Sequence, residues 1–362
     1  MLSWFRRYLL PGLVFQSLCI AGGYGTGREL VEFFMRFGPG GGYLGMIPAT
    51  VVVSLVCMVA FELARMTRAY DYRSFLKGLL GRGWFVYKIA YLLIILLVLA
   101  VLGSATGAMF TENFGLPPMA GTILLLGSIA FLAFTGSRVI ESVMSFWSFV
   151  LYAVYLTVFV LSMKLFGPAI VEAVQTSSVE PGWLSSGIRY GSLQLGLLPA
   201  ILFATVYIQC RKEAFIAGAL TGPLLMIPAA LFYAAMVAHY PDILARSVPM
   251  SHVFEALGSP ALLLLFAIVL VGTFIETGTG MIHAFNERVV NAFAARGITL
   301  HNWVRPLIAV GLIVSAILMS RWGLIDLIAV GYNVMAWVFV LVVVVPLLTV
   351  GLWKITRFQN NH

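Results

Sequence analysis

The chain has 362 residues, of which 61% are hydrophobic and only 10% charged, and its mean hydropathy is +1.00. Soluble domains carry about a quarter charged residues, so a soluble fold is excluded. An all-α polytopic membrane protein, with the lipid bilayer as its surroundings, is expected instead. The net charge of +8 reflects loop topology rather than a nucleic-acid partner.

Trp4-Phe5-Arg6-Arg7 followed by an apolar run to Ala21 imitates a secretory leader. The small residues after Cys19 fit an interrupted helix equally well, and cleavage would spoil the alternation of loop charges, so the segment is expected to be retained. The first span, residues 8–36, has glycine at four of the six positions 22–27 and then Arg28-Glu29. Each glycine costs roughly 1 kcal/mol in a helix relative to alanine, and two charges at mid-depth cost more. Small residues can serve close helix packing. Four of them beside Arg28, Glu29 and Glu32 point to a helix broken at mid-depth and lining a cavity.

Nine further spans follow at about 43–64, 85–111, 118–135, 140–165, 184–209, 213–239, 260–290, 304–320 and 324–353. A polar loop holding Glu172, Glu180 and Pro181 separates the halves, and residues 240–259 are expected to form a short helical external hairpin. With the N-terminus in the cytoplasm, sixteen of the 22 lysines and arginines fall inside. Arg36, Lys164, Arg189, Arg246 and Arg321 fall outside, and Arg28 lies within a span. That bias places both termini in the cytoplasm. Five spans per half suggest an inverted repeat of about 8–165 and 184–353 in one transmembrane domain, with broken spans one and six equivalent. Span six has the matching disturbance, Tyr190-Gly191-Ser192-Leu193-Gln194-Leu195-Gly196 and then Pro199. Polar, small-residue clusters recur at Gly103-Ser104-Ala105-Thr106-Gly107 and from Gly272 to Gly280.

These clusters define the candidate site. Substrate would contact Gly23, Tyr24, Gly25, Thr26, Gly27 and Arg28 of span one, Ser104 and Thr106 of span three, and Ser192 and Gln194 of span six. Glu276, mid-span in an apolar run, is suited to carrying a coupling H⁺ or to ligating Na⁺ with Thr273, Thr277 and Gly22; the alternative is a packing role. Thr26-Gly27-Arg28-Glu29 reads as a capping box for a restarting helix, which leaves Glu29 either a cap or a ligand contact. Arg28, Glu32 and Arg36, spaced four apart, can pair along one stripe. Arg28 could instead reach Asp326 and close an external gate. Glu62 with Arg65, and Arg138 with Glu141, read as rim pairs, and Tyr332-Asn333 as a helix–helix hydrogen bond. The three cysteines lack metal spacing and are expected to be unpaired. No HExxH, GxSxG or Walker A sequence is present, so an enzyme is not expected, and neither is any cofactor besides the coupling ion.

The stretch Ala21-Gly22-Gly23-Tyr24-Gly25-Thr26-Gly27-Arg28-Glu29-Leu30, running into Glu32-Phe33-Phe34, resembles the first-helix signature of the YkvI family of bacterial membrane proteins, approximately G-A-G-F-A-S-G-Q-E-I-x-Q-F-F. Glu276 to Ile282, with Asn286-Glu287-Arg288, is also similar to that family, as are the length and the ten-span layout. The resemblance implies a 5+5 inverted repeat of the LeuT type within the amino acid–polyamine–organocation superfamily. That family is largely uncharacterised and assigned to amino-acid permeases of the bacterial cytoplasmic (inner) membrane. It further implies that Gly23, Gly25 and Gly27 mark the unwound stretch and that Thr277 lies near a sodium site between helices one and eight. The chain departs from the pattern at Tyr24, where phenylalanine is expected, and at Arg28, where glutamine is expected. A cation at 28 favours an acidic or carboxylate-bearing substrate.

The expected function is secondary active transport of a small amino-acid-like or carboxylate-bearing solute, coupled to H⁺ or Na⁺. A non-transporting sensor or accessory subunit with the same pocket is the alternative. A passive channel fits broken helices and mid-depth charges less well. Substrate identity, coupling ion and oligomeric state are not legible.

Overall fold

The computed structural model describes the chain apart from residues 1, 21, 136–137, 295–296, 302 and 361–362, and the backbone alone at 2, 22, 133–135, 138–152, 291 and 358–360. The described structure is 87% helical, with no strand among the described residues. A short α1 (Leu2–Tyr8) leads into α2 (Leu10–Cys19), α3 (Gly22–Gly25) and α4 (Arg28–Phe33). Then come α5 (Pro39–Thr67), α6 (Tyr72–Leu80), α7 (Trp84–Phe114), α8 (Pro118–Thr135) and α9 (Arg138–Thr176). The second half has α10 (Trp183–Leu195), α11 (Arg211–Val237), α12 (Pro249–Ala256), α13 (Pro260–Ala294) and α14 (Val304–Ser320). The last rod comprises α15 (Leu324–Asp326), α16 (Asn333–Phe339) and α17 (Leu352–Asn360), joined by π-helical turns at Leu327–Tyr332, Val340–Val344 and Leu347–Gly351.

Six helical stretches of the described residues are long and apolar enough to cross a membrane, and α2, α14 and the 118–132 part of α8 are shorter apolar helices. On α5, Ile47, Val51 and Leu55 are exposed at successive turns, a stripe that water would penalise and lipid would accept. Its opposite side meets α11 through small residues. A Cβ on Gly218 would fall 2.4 Å from the Met58 backbone, and one on Gly222 would fall 2.3 Å from the Thr50 carbonyl. Glycine is what lets these two rods approach. Ser54 Oγ, donating 2.8 Å to the Ala219 carbonyl, joins them.

Helix α5 also lies along α10, α11 along α2, α7 along α8 and α14, and α13 along α8. The largest fully buried side chains include Phe15, Tyr24, Phe33, Phe34, Tyr190 and Phe274, and Phe274 lies 3.6 Å from where a Cβ on Gly25 would stand. Helix α9 runs on to Thr176, past the expected end at 165, so Glu172 sits on a helix rather than in a loop. The expected 240–259 hairpin is present as a 3₁₀ turn, Asp242–Ala245, followed by α12. The pair proposed between Arg138 and Glu141 lies outside the described side chains.

Candidate functional site

The site starts where the first apolar rod loses its helical path. Helix α2 stops at Cys19, one turn forms at α3, and Gly27 turns to φ 81° before α4 begins. Only glycine takes that left-handed conformation without strain. Thr26 Oγ donates 2.9 Å to the Gly23 carbonyl and accepts from the Arg28 amide at 3.3 Å, which knits the turn from within. Gly27 therefore occupies the N-cap position, with no side-chain cap. The expected capping box does not form, because the left-handed residue at 27 re-aims the chain before Thr26 can cap it.

Released from capping, Glu29 folds back over the turn. A Cβ on Gly23 would lie 2.5 Å from Glu29 Oε1, so Gly23 makes room for the carboxylate. From the other half, Gln194 Nε2 donates to Glu29 Oε2 at 3.4 Å. Gln194 is the penultimate residue of α10, after which the backbone tightens into 3₁₀ turns at Leu198–Ala200 and Leu202–Tyr207. The Gly196 carbonyl released there accepts from Tyr87 Oη of α7 at 2.9 Å. Two interrupted rods thus meet through Glu29 and Gln194, only 3% and 5% exposed.

Between them lies a void of about 30 Å³ lined by Cys19, Glu29, Gln194 and Tyr332, with apolar walls from α7 and α13. Tyr332 ends the π-helical turn of the last rod, and such turns recur at functional sites. Leu18, Leu197 and Met281 line both this void and a larger cavity of about 360 Å³. Ser17, Tyr91, Thr273, Glu276 and Thr277 supply the polar lining of the larger cavity. Glu276 has no ion-pair partner among the described residues, and the Thr273 hydroxyl bonds its own helix at Val269.

Arg28 lines neither the void nor the cavity. Arg28, 3% exposed, donates to the carbonyls of Leu244 at 2.7 Å and Arg246 at 3.1 Å. It also pairs with Glu32 at 3.3 Å, and Glu32 pairs in turn with Arg36. The Met250 amide donates 3.0 Å to the Thr26 carbonyl. The hairpin between α11 and α13 is therefore latched onto the glycine turn.

This corrects the expected gate. Arg28 has the hairpin and Glu32 for partners, while Asp326 is exposed and takes no part in an ion pair among the described residues. The stripe of Arg28, Glu32 and Arg36 and the Glu62–Arg65 pair, at 2.8 Å, form as expected.

Of the expected site residues, Gln194, Thr273, Glu276 and Thr277 line the void or the cavity, and Gly23 lies against the Glu29 carboxylate. Gly25 faces α13, where a Cβ would fall 2.5 Å from Leu270, and Tyr24 stacks on Phe232 at 6.2 Å. Ser104, Thr106 and Ser192 line neither space. Thr106 and Ser192 bond the carbonyls four residues back, Leu102 and Ile188, within their own helices, so their polarity is satisfied locally. The surroundings of Gly22 lie outside the described residues. The sequence leaves Glu29 between cap and ligand, gives Tyr332 a helix–helix hydrogen bond and Cys19 no role beyond an unpaired cysteine, and does not single out Ser17 or Tyr91. A carboxylate just past an unwound glycine stretch was the available signal for Glu29. Cys19, Cys57 and Cys210 are unpaired, and Asn333 accepts from Arg189 across helices at 2.7 Å.

No protein-family model matches the chain. It is 24% identical over 280 residues to the uncharacterized membrane protein YkvI of Bacillus subtilis (strain 168), covering 76% of this chain and 79% of that one. Among solved structures, MhsT in complex with L-phenylalanine superposes with a TM-score of 0.60 at 16% identity, over 95% of this chain and 87% of that one. A single-residue mutant of the Eremococcus coleocola manganese transporter gives 0.60 at 17%, over 95% and 78%. A Na⁺-coupled sialic acid symporter in its substrate-bound outward-open state gives 0.61 at 14%, over 94% and 78%. The chain is a membrane protein homologous to YkvI and has the LeuT fold.

Proposed function

We propose that the protein is a secondary active transporter that moves a small amino-acid-like solute by alternating access. The observation that carries this reading is the asymmetry about Glu29. One side of the glycine turn is sealed by Arg28 and the hairpin, and the other leads into a cavity of about 360 Å³. A binding point closed to one face and reachable from the other is what alternating access requires. The void beside Glu29, about 30 Å³, has room for little more than water, so substrate entry has to widen it.

The chain is read as one domain of ten spans in two inverted halves, about 8–165 and 184–353, with the first and sixth spans interrupted. Reciprocal packing supports this, because α2 on α11 mirrors α10 on α5, and α7 on α14 mirrors α13 on α8. The charge bias of the loops supports cytoplasmic termini in a bacterial cytoplasmic membrane, and on that orientation the cavity faces the cytoplasm.

Arg28 no longer argues for an acidic substrate, since its guanidinium holds the latch. The acidic group beside the void is Glu29, whose carboxylate form suits the ammonium of an amino acid. The likeness to MhsT, solved in complex with L-phenylalanine, is compatible with that class. Glu276, with Thr273 and Thr277 beside it in the cavity, is read as the carrier of the coupling H⁺ or as a Na⁺ ligand. Nothing in this scheme calls for an enzymatic step or a further cofactor.

The test is uptake of radiolabelled amino acids into proteoliposomes under an imposed Na⁺ or pH gradient. Gradient-driven accumulation is expected. Binding, detected as a raised melting temperature, without accumulation under either gradient would favour the sensor or accessory-subunit reading.

A further inference from the structure

A second pocket, of about 590 Å³, opens where α6, α7 and α13 converge. It has two kinds of wall. Ile89, Leu92, Phe285, Val289 and Phe293 form an apolar side, and Arg73, Lys88 and Arg288 form a cationic side. Aromatic rings fix these cations. Arg288 stacks over Tyr91 at 3.6 Å and Tyr72 at 4.1 Å, and Lys88 over Trp84 at 3.8 Å. Ring stacking leaves the outward N–H groups of a guanidinium available to an anion. Neither Arg73 nor Arg288 has a carboxylate in ion-pair range among the described residues. The acidic rim residue, Asp71, is engaged in capping α6, accepting from the amides of Arg73 and Ser74 at 3.0 and 2.9 Å.

The pocket's position argues for its occupant. It lies at the ends of two membrane rods, on the side where the basic loops gather. Helix α6 roofs it, burying Phe75, Leu76 and Leu79 and presenting Lys77 outward. The apolar wall is continuous with a lipid-facing strip, since Phe85, Ile89 and Leu93 are 56%, 54% and 48% exposed. A soluble anion would have no use for that strip. A zwitterionic lipid would bring an ammonium against three cations.

We propose that this pocket binds an anionic glycerophospholipid, with its phosphate on Arg73, Lys88 and Arg288 and an acyl chain along Ile89, Leu92 and Phe285. Basic pockets between spans on the positive side of a membrane protein suit such headgroups. Tyr91 lines both this pocket and the 360 Å³ cavity, so the lipid would buttress a wall of the transport path through Arg288.

The test uses the full chain purified in neutral detergent, stripped of lipid, and read by native mass spectrometry and melting temperature. Phosphatidylglycerol should be retained and should raise the melting temperature. Phosphatidylcholine with the same chains, and inorganic phosphate alone, should do neither. Arg73→Gln and Arg288→Gln should each weaken retention roughly fivefold, while Arg211→Gln, outside the pocket, should not. Equal retention of the two lipids by the wild-type protein overturns the proposal. An equal melting shift from inorganic phosphate reassigns the pocket to a soluble anion. If Arg288→Gln does not fold, Arg73→Gln and the exposed Lys88→Gln carry the comparison.

Discussion

Gln194 donates to Glu29 at 3.4 Å, which joins the stretch where the helical path is lost after α2 to the one where it tightens after α10. If Glu29 holds the substrate's ammonium, Glu29→Gln keeps the shape and the Gln194 contact and removes only the charge. Removing one partner of a buried charged contact costs about 2–5 kcal/mol of binding. Affinity should fall by at least tenfold, with the melting temperature of the empty protein unchanged or raised. Unchanged affinity in a folded Glu29→Gln protein would move the substrate elsewhere. Gln194→Ala should cost less, about 1 kcal/mol.

Cutting the latch should open the sealed face. Arg28→Ala removes the donor to Leu244 and Arg246 and leaves Glu32 with Arg36, which is itself largely exposed. Breaking a buried pair costs about 3–5 kcal/mol, and the remaining Arg36 puts the expected destabilisation near the low end. Met250, fully buried under the latch, reports the opening. In a Cys210→Ser background, a Met250→Cys thiol should react with an impermeant reagent faster once Arg28 is replaced. Equal reactivity with and without Arg28 would show that the arginine does not hold the hairpin down.

The glycine cluster and its charges were legible because each carries a cost in lipid that only a structural or functional role offsets. The partners of those charges were not. Arg28 bonds carbonyls on a loop 216 and 218 positions away, and a backbone acceptor leaves no residue-type signal. Glu29 looked like a cap because Thr26 stands three residues before it. The left-handed Gly27 broke that register, and no sequence spacing records φ. Ser104, Thr106 and Ser192 looked functional as a polar cluster, yet a hydroxyl in a helix can satisfy itself on its own turn, as Thr106 and Ser192 do. The 360 Å³ cavity falls between α2, α7, the 3₁₀ turns after α10, and α13. Only the Glu276 part of that lining stood out in advance.

The backbone break makes its own prediction. Gly27→Ala places a side chain in the left-handed region, at a cost of about 1–2 kcal/mol, and its Cβ would come 2.7 Å from Met236 Sδ. Gly311→Ala, in the middle of α14 with nothing within 4 Å of the new Cβ, should instead be neutral or gain up to about 1 kcal/mol. Thermal unfolding of the two variants should shift in opposite directions or leave Gly311→Ala unmoved. A Gly27→Ala protein as stable as the parent would mean the turn does not need its glycine.

Coupling and binding separate at Glu276. It faces the cavity rather than the void, so Glu276→Gln should abolish gradient-driven uptake while sparing ligand binding and substrate exchange. Full driven uptake by this variant would remove Glu276 from the coupling step and leave it a packing residue.

The latched hairpin should respond to acid through two histidines. His239 and His252 meet edge-to-face with ring centres 5.2 Å apart, and neither His239 Nε2 nor His252 Nδ1 has a hydrogen-bond partner among the described residues. Burial, followed by the neighbouring His252, holds His239 below the usual histidine range. Burial and Arg246 do the same for His252, against the opposing pull of Glu255 and Asp242. Both rings are thus favoured neutral in the folded state. Acidification from neutrality protonates the unfolded chain first, so stability is fully present above the ordinary histidine pKa and declines as pH falls through and below it. The melting temperature should drop between about pH 7 and pH 5, and the drop should shrink in a His239→Gln, His252→Gln double variant. Labelling of Met250→Cys, taken relative to a fully exposed thiol at the same pH to remove the falling thiolate fraction, should rise over the same interval, because the hairpin bearing His252 is the one that Arg28 holds. A melting curve whose pH dependence is identical in the double variant would assign the acid response to carboxylates instead.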